Sequence, residues 1–305
     1  MIDVRRLAVL REVARLGSFN QAAASLRLTP SAVSQQISAL ERSIGTAVVR
    51  RSTRGVELTA AGVVLVSAGD AISAELSNAE REIQRLSTAR TETLTVATFT
   101  SGGQRLLPAA LTRFTGSHPA VELTVLENEP EDSLPLVRNG AADLAIAYHF
   151  DGPPPVRPGD RSGLTWTALL DDPMWIVLPA GHRFADRDVL TIAELAGERW
   201  VHGCLSIIDL LSHYAAMAGF VPRTACRGTD YIFAQSLVRA GVGISMIPQV
   251  ALTADQGGLA MVPLAPPCPS RYIGVVTARG RHRPLADALM RALHDTVQAL
   301  PASSA

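Results

Sequence analysis

Lysine is absent from this chain of 305 residues, so all 28 of its basic residues are arginine, and 28 acidic residues balance them. A formal net charge of zero gives no reason to assign the whole chain to a polyanionic or polycationic partner. The charge is unevenly distributed, however, because residues 1–58 hold nine arginines and four acidic residues, a surplus of five positive charges. Charge therefore favours a nucleic acid partner for this segment.

Cysteine is scarce. The three cysteines, Cys204, Cys226 and Cys268, are odd in number and show neither a CxxC motif nor the Cys/His spacing of a zinc site. We therefore predict neither a disulfide framework nor a bound metal. Long apolar runs are also lacking, since no stretch reaches the roughly 18 residues of a membrane-spanning helix and the N-terminus has no signal-peptide pattern. These absences predict a cytoplasmic protein without membrane contact.

Motifs of the common enzyme classes are missing as well. The sequence contains no HExxH, no GxSxG and no glycine-rich nucleotide loop, and Gly241-Val242-Gly243 lacks a third glycine. We therefore predict no catalytic residues and no cofactor. An enzyme domain joined to a DNA-binding head stays open as an alternative, which turnover of a candidate ligand would reveal.

The first 45 residues show the pattern of three short helices. Apolar residues recur at helical spacing before Gly17, which is placed to end the first helix. Ser18 and Gln21 have the spacing of a capping box for a second helix. Thr29 and Pro30 predict the start of a third helix, because threonine caps the backbone and proline suits the first turn.

The third helix is predicted to bury one apolar stripe, formed by Val33, Ile37, Leu40 and Ile44, and to expose a polar face. Serine, glutamine and arginine on that face suit the major groove, where glutamine pairs with adenine and arginine with guanine. Residues 48–58 are predicted to form two short strands, a wing whose arginines bind phosphates. The predicted DNA contacts are Ser18, Asn20, Gln21, Pro30, Ser31, Ser34, Gln35, Ser38, Arg42, Arg50, Arg51 and Arg54. The alternative is a three-helix packing unit that binds no DNA.

A family resemblance lies in two segments, SFNQAAASLRLTPSAVSQQISALERSIG and VVRRSTRGVELTAAG, which are similar to the signature of LysR-type transcriptional regulators. The match is continuous here and extends, more weakly, over the whole chain. Val49 departs from it, since the family usually has a large aromatic residue there. The resemblance implies an α+β multidomain protein with an N-terminal winged helix-turn-helix (1–58), a long linker helix (59–90) and a C-terminal α/β periplasmic-binding-protein-like (type 2) effector domain of two lobes (91–305).

The segment from Thr59 to about residue 88 lacks proline and has apolar residues at heptad spacing, which predicts one long helix. The predicted dimerisation residues are Leu65, Ile72, Leu76, Ala79, Ile83 and Leu86. Because a lone helix cannot bury such a stripe, we predict a homodimer that binds a roughly palindromic operator in double-stranded DNA. Docking of the helix against the chain's own body is the alternative. The resemblance further implies a homotetramer and action on RNA polymerase.

After Thr91, β-branched runs alternate with helical segments, which predicts an α/β sheet with ligand space at the carboxyl ends of its strands. The predicted strands are 94–100, 121–127, 143–147, 174–178, 199–203, 243–248 and 272–277. The resemblance implies one lobe at about 92–162 with 268–301 and another at about 163–267, which close on a small-molecule effector.

Hydroxyls and free backbone N–H groups are predicted to gather where the first of these strands meets the next helix. Because a helix N-terminus favours negative charge, we predict a small effector that is polar or anionic. The predicted effector contacts in the two lobes are Thr98, Thr100, Ser101, Tyr148, His202, Gly203, Thr229 and Asp230. Helix capping is the alternative role for Thr100, Ser101 and Asp230.

Together these patterns predict a LysR-type regulator whose operator binding or promoter activation changes when an effector binds between the lobes. A thiol-based redox sensor that uses Cys204 and Cys226 is an alternative within the same class. Labelling of free thiols before and after peroxide treatment would distinguish the two.

Overall fold

The computed structural model describes residues 2–52, 55–87, 92–150, 154–156, 163–253, 255, 257–280 and 283–299. The chain forms two compact units. The first comprises Met1–Arg90 with the short segments Arg138–Ala141 and Pro158–Leu164, and the second comprises the remainder.

The first unit contains three short helices, a two-stranded wing and a long helix. Its elements are α1 (Val4–Leu16), α2 (Phe19–Leu26), α3 (Pro30–Ile44), β1 (Val49–Ser52), β2 (Gly55–Leu58) and α4 (Ala60–Ser87). Asp3, Ser18 and Thr29 each accept a hydrogen bond from a backbone N–H of the following first turn, which explains where the three short helices begin. Gly17 and Gly45 end α1 and α3 with φ angles of 62° and 74°, which glycine adopts without strain.

A small apolar core joins these elements into what we call the reading head, namely α1–α3 with β1, β2 and the first turns of α4. Its buried residues are Leu7, Val9, Leu10, Val13, Ala22, Ala23, Val33, Ile37, Leu40, Val48 and Leu65. Gly62 lies so close to the chain before β1 that an added Cβ would be 2.0 Å from the Val48 carbonyl oxygen. The start of α4 is therefore packed tightly into the reading head.

Residues Ala60–Ser77 of α4 are long and apolar enough to cross a membrane, with a mean hydropathy of 1.3. This corrects the sequence-based expectation that no stretch has such a composition. The finding rests on length and composition alone, and 22% of this window is buried within the chain. Within this stretch, Asp70 forms an ion pair with Arg11 at an N–O distance of 2.6 Å, which fastens α4 to α1.

The second unit alternates strands and helices. Its elements are β3 (Thr93–Thr98), α5 (Thr100–Arg105), α6 (Leu107–Ser117), β4 (Glu122–Glu127), α7 (Pro130–Asn139), β5 (Leu144–His149), β6 (Leu164–Pro179), β7 (Arg199–His202), α8 (Ser206–Met217), β8 (Arg223–Arg227), α9 (Tyr231–Arg239), β9 (Ser245–Pro248), β10 (Leu259–Pro263), β11 (Ser270–Ala278) and α10 (Pro284–Gln298). The strands β8 and β10 were not predicted, and β6 begins ten residues before the predicted 174–178.

Seven of these strands form one sheet in the order β10-β6-β11-β5-β3-β4, with β9 also paired to β6. β3 runs parallel to both β4 and β5, so the carboxyl ends of these three strands meet at one edge. β7 and β8 form a separate parallel pair.

Two separate apolar cores define two lobes in this unit. The first lobe is built around β3, β5, β11, α6 and α10, with Phe99 and Phe114 at its centre. The second is built around β6, β7, β9, α8 and α9, with Trp200 as its largest buried side chain. The predicted fold class, a winged helix-turn-helix followed by a linker helix and a two-lobed α/β domain, is confirmed.

Candidate functional site

The outer face of α3 is the first candidate site. Val33, Ile37 and Leu40 are fully buried, which fixes the orientation of the helix on the reading head. Among the predicted contacts on α3, Pro30, Ser31, Gln35, Ser38 and Arg42 are exposed, and Ser34 is half-buried. The helix therefore presents a polar face of short and planar side chains to solvent.

The neighbouring start of α2 contributes to the same predicted contact set. The Ser18 hydroxyl accepts a hydrogen bond from the Gln21 backbone N–H at 3.4 Å, so its oxygen serves as a helix cap. Asn20 and Gln21 are exposed. Gln36 is exposed as well, although the sequence analysis did not include it among the predicted contacts. Its position next to Gln35, off the predicted buried stripe of α3, was the signal that could have placed it on the outer face.

The wing is braced against the reading head. Glu41 accepts a hydrogen bond from the Val48 backbone N–H at 2.9 Å, and the Val56 N–H donates to the Gly17 carbonyl at 2.9 Å. The exposed Arg50 guanidinium lies 3.0 Å from the Glu57 carboxylate of the opposite strand. Of the other two predicted wing contacts, the side chain of Arg51 and the whole of Arg54 lie outside the described residues.

The predicted dimerisation stripe on α4 is divided by burial. Leu65 is buried in the core of the reading head, so this side chain is unavailable to a second copy, unlike the prediction. Ile72, Leu76, Ala79 and Ile83 are exposed, with Leu76 and Ile83 at 56% and 64%. The side chain of Leu86 lies outside the described residues. The exposed part of the stripe thus begins at Ile72.

The predicted effector contacts of the first lobe lie at the carboxyl edge of β3 and the start of α5. Thr98 is buried and donates from its hydroxyl to the Phe99 carbonyl at 3.2 Å. Thr100 donates to the Glu127 carboxylate at 2.8 Å, and buried Ser101 accepts from Arg271 Nη1 at 3.1 Å. Two of the three hydroxyls therefore contact charged side chains that sequence reasoning had not assigned to the site.

Tyr148, at the end of β5, connects the two lobes. Its hydroxyl donates to Glu129 Oε2 at 2.7 Å and lies 3.7 Å from the Cys204 sulfur, which follows β7 in the second lobe. Burial and, to a lesser degree, the Cys204 and Glu129 side chains raise the pKa of the Tyr148 phenol. This side chain therefore stays protonated and acts as a hydrogen-bond donor.

The remaining predicted contacts occupy the second lobe. His202 is buried, its Nε2 lies 3.2 Å from the Thr224 hydroxyl, and burial lowers its pKa, so the neutral imidazole is favoured. Gly203 fits closely against Tyr231, since an added Cβ would lie 2.6 Å from that ring. Thr229 is exposed. Asp230 accepts from the Phe233 N–H at 2.6 Å and caps α9, which is the alternative role considered for it.

A buried ion pair lies at the centre of this region and was missed. Arg271 on β11 is 1% exposed, and Asp172 on β6 is fully buried. Arg271 Nε donates to Asp172 Oδ2 at 2.8 Å, and Arg271 Nη2 lies 2.7 Å from the same oxygen. The two partners are 99 residues apart in the chain, so no local motif predicts the pair. The available signal was an arginine directly before the predicted strand 272–277.

Three aromatic rings surround the Arg271 guanidinium. Its Cζ lies 4.9 Å from the ring centroid of Phe99, 5.2 Å from that of Tyr148 and 6.0 Å from that of Tyr231. Phe99 and Tyr148 come from the first lobe and Tyr231 from the second. Burial alone would lower the pKa of the Arg271 guanidinium, but the nearby Asp172 carboxylate outweighs burial. The net effect is a raised pKa, so the guanidinium remains protonated.

The three cysteines are half-buried and unpaired. Cys226 lies opposite Val201 in the β7–β8 register. In the part of the chain that the structure describes, no group of three or more His, Cys, Asp or Glu side chains is arranged to hold a metal ion.

Known proteins resemble this chain over nearly its whole length. The family model described as "LysR substrate binding domain" matches residues 87–298, and the one described as "Bacterial regulatory helix-turn-helix protein, lysR family" matches residues 4–63. A probable hydrogen peroxide-inducible genes activator of Mycobacterium avium is 30% identical over 87% of this chain and 84% of its own length. A solved structure of a hydrogen peroxide-bound OxyR variant of Corynebacterium glutamicum is 25% identical, with a TM-score of 0.52 over 98% of this chain and 96% of that one. Full-length CbnR in complex with its target DNA shares the fold, with 21% identity and a TM-score of 0.53 over 97% of this chain and 100% of that one.

Proposed function

We propose a mechanism for this chain from the premise that it belongs to the LysR family of bacterial transcriptional regulators, whose models match residues 4–63 and 87–298. The chain is a DNA-binding transcriptional regulator. We further propose that it acts in the cytoplasm, where its DNA target lies, and without catalytic turnover. Its own residues suggest how operator binding and effector binding are performed.

The polar outer face of α3 is the observation that carries the DNA-binding proposal. Gln35 and Ser31 are exposed near the start of a helix that is capped by Thr29 and oriented by three buried residues. We propose that this face reads base edges in the major groove while Arg42 and the wing arginines bind phosphates. Arg50, whose guanidinium lies 3.0 Å from the Glu57 carboxylate in the absence of DNA, would then bind a phosphate oxygen in place of Glu57.

We propose that the exposed apolar stripe of α4 pairs with the same stripe of a second copy. Ile72, Leu76 and Ile83 expose apolar side chains along one helix, and their burial in a homodimer removes them from water. Two reading heads related by a twofold axis would require a roughly palindromic operator. Association into tetramers and action on RNA polymerase belong to the same proposal.

We propose that an effector binds between the two lobes of the second unit. Ser101 and Tyr148 of the first lobe meet Arg271, Cys204 and Tyr231 in one buried polar cluster. A ligand with different affinities for the open and closed arrangements of the lobes shifts the population between them. This shift would alter operator binding or promoter activation.

The DNA-binding proposal is tested with the full-length protein and the intergenic DNA beside its own gene. Several arginine–phosphate contacts predict that affinity falls about 10³-fold or more between 50 and 200 mM salt, with a fixed footprint on that fragment. A random duplex of equal length is the control. Equal affinity for both duplexes at physiological salt would contradict the proposal.

A second candidate function is peroxide sensing by Cys204. The observation that favours it is the contact of the Cys204 sulfur with the Tyr148 hydroxyl at 3.7 Å, together with the similarity to peroxide-inducible activators. The Cys204 thiolate would attack one oxygen of hydrogen peroxide and become a sulfenic acid. The O–O bond breaks, and the second oxygen leaves as hydroxide, which combines with the proton lost by the thiol to give water.

Dimedone labelling with mass spectrometry tests this candidate. After treatment with one equivalent of hydrogen peroxide we expect the label on Cys204, with Cys226 and Cys268 unlabelled. Cys204→Ser should abolish any peroxide-dependent change in operator binding, and Cys226→Ser should retain it. A disulfide between Cys204 and Cys226, or a label confined to Cys226 or Cys268, would contradict the assignment to Cys204 alone.

A further inference from the structure

We propose that the effector of the interlobe cluster is a small zwitterion of the amino acid class, whose carboxylate binds Tyr231 and Arg271 and whose ammonium group binds Glu129. This inference rests on the proposed function, because it names the chemical class of ligand for the same site. A zwitterion of this class takes the place of the polar or anionic effector that the sequence predicts at the start of α5.

The inner part of the cluster offers hydrogen-bond donors whose acceptors are weak or poorly aligned. The Tyr231 hydroxyl is buried and has no oxygen or nitrogen acceptor among the described residues, and the Cys204 sulfur beside it is only a weak acceptor. Burial raises the pKa of the Tyr231 phenol well above its ordinary value, which leaves a protonated donor. Arg271 has five N–H donors, and its partners Asp172 and Ser101 leave Nη2 without a well-aligned hydrogen bond.

The group that satisfies such donors is an oxygen acceptor. A buried donor without a partner loses its bond to water on folding and regains nothing, so an acceptor that reaches it binds favourably. A carboxylate presents two acceptor oxygens, and guanidinium binds carboxylates with matched geometry. The Tyr231 hydroxyl and Arg271 Nη2 therefore favour a ligand carboxylate at this point.

The charges around the cluster oppose a ligand that is only an anion. Asp172 already compensates Arg271, so the inner pair is neutral overall. Glu127 and Glu129 add two carboxylates at the carboxyl end of β4, where they accept hydrogen bonds from Thr100 and Tyr148. An anion would enter beside these two carboxylates, for which the described part of the chain shows no ion-pair partner, whereas a positive group on the same ligand offsets their charge.

Glu129 is the carboxylate placed to hold that positive group. It is exposed, and its Oε2 accepts the Tyr148 hydroxyl at 2.7 Å, which orients the side chain and leaves Oε1 available. The Tyr148 ring lies against Arg271. The Glu129 carboxylate and the Arg271 guanidinium thus contact the same phenol side chain, which favours a compact ligand whose two head groups are a few bonds apart.

Thermal unfolding of the full-length protein with each standard L-amino acid, its decarboxylated amine and its α-hydroxy acid tests the inference. We expect one or more amino acids to raise Tm by roughly 5 °C at about 100-fold the Kd. The matched amine and hydroxy acid should give no rise. Tyr231→Phe and Glu129→Gln should each weaken the effective amino acid by about 10- to 100-fold.

Tyr272→Phe is the matched control, since it removes a phenol hydroxyl from β11 outside the cluster and should retain the full rise in Tm. Removal of the Tyr231 hydroxyl, whose one neighbour is the weakly accepting Cys204 sulfur, should leave Tm of the ligand-free protein nearly unchanged, so a lost response is not a folding defect. A hydroxy acid that raises Tm as much as its amino acid would overturn the proposal that the ligand is a zwitterion. The proposal that an effector binds between the lobes would still stand. No rise with any of these compounds would also overturn the zwitterion proposal, and operator binding by the same preparation reports on the proposed function separately.

Discussion

At the scale of single residues, Glu12 contributes a pH-dependent part of the stability of the reading head. Its carboxylate accepts hydrogen bonds from the Arg15 guanidinium at 2.6 and 2.9 Å and from the Ser25 hydroxyl of α2. These bonds lower the pKa of Glu12 from 4.5 to about 2. A lowered pKa in the folded state stabilises the protein above pH 4.5, and this contribution is lost as the pH falls from 4.5 to 2.

Glu12→Gln should therefore lower the free energy of unfolding at pH 7 by about 1 kcal/mol, a value reduced from the full shift because the pair is partly exposed. The difference from the wild-type protein should shrink below pH 4.5 and vanish below pH 2. Urea unfolding at several pH values measures it. Glu80→Gln, at an exposed position of α4, is the control. A difference that does not depend on pH would refute the assignment.

The sequence predicts the roles of residues whose partners lie a few positions away in the chain. It does not predict contacts between residues that are far apart in the chain. Ser18 and Thr29 act within three residues of themselves, so their capping roles follow from spacing alone. Arg271 depends on Asp172 and Ser101, which lie 99 and 170 residues away in the chain. Only the fold brings those side chains together, and for this reason the sequence analysis placed Ser101 in the site and omitted Arg271.

At the scale of elements, α4 has two parts that differ in burial. Its first turns, with Gly62 and Leu65, are packed into the reading head. Its later turns expose Ile72, Leu76 and Ile83. The heptad pattern predicted the helix and its apolar stripe correctly, but it could not show that the reading head itself covers the first position of that stripe.

Leu76→Asp should separate the proposed homodimer into monomers, because each copy would place a charge in the apolar interface between the two helices. Sedimentation equilibrium of the full-length protein measures the mass. Ser67→Asp is the control: Ser67 is exposed on the same helix nine residues earlier, which at 3.6 residues per turn is the opposite side. A dimer of unchanged affinity in Leu76→Asp would show that the helices pair elsewhere.

The strands of the second unit were predicted incompletely. The buried strands β3 and β5 are rich in apolar residues, and their positions were anticipated to within a few residues. β8 exposes most of its five residues and carries arginine at both ends, so its hydrophobic pattern is weak. The missed β8 pairs with β7 and carries Thr224, the hydrogen-bond partner of His202.

At the scale of the whole molecule, the order of the parts followed from features that extend over many residues. The surplus of arginine before residue 59, the proline-free heptads and the later alternation of strands and helices each predicted one part. The chemistry of the effector did not follow in the same way. The effector class that we propose depends on the charges of Glu127, Glu129, Asp172 and Arg271, which only the folded domain brings together.

The central claim is that the polar face of α3 reads base sequence. The most direct measurement is the selection of bound duplexes from a random DNA pool by wild-type, Gln35→Ala and Gln104→Ala proteins. Gln104 is an exposed glutamine of α5 and serves as the matched control. We predict that Gln35→Ala loses preference at particular base pairs by about 1–3 kcal/mol each, while Gln104→Ala selects the wild-type sequence. Identical selected sequences for all three proteins would contradict the claim.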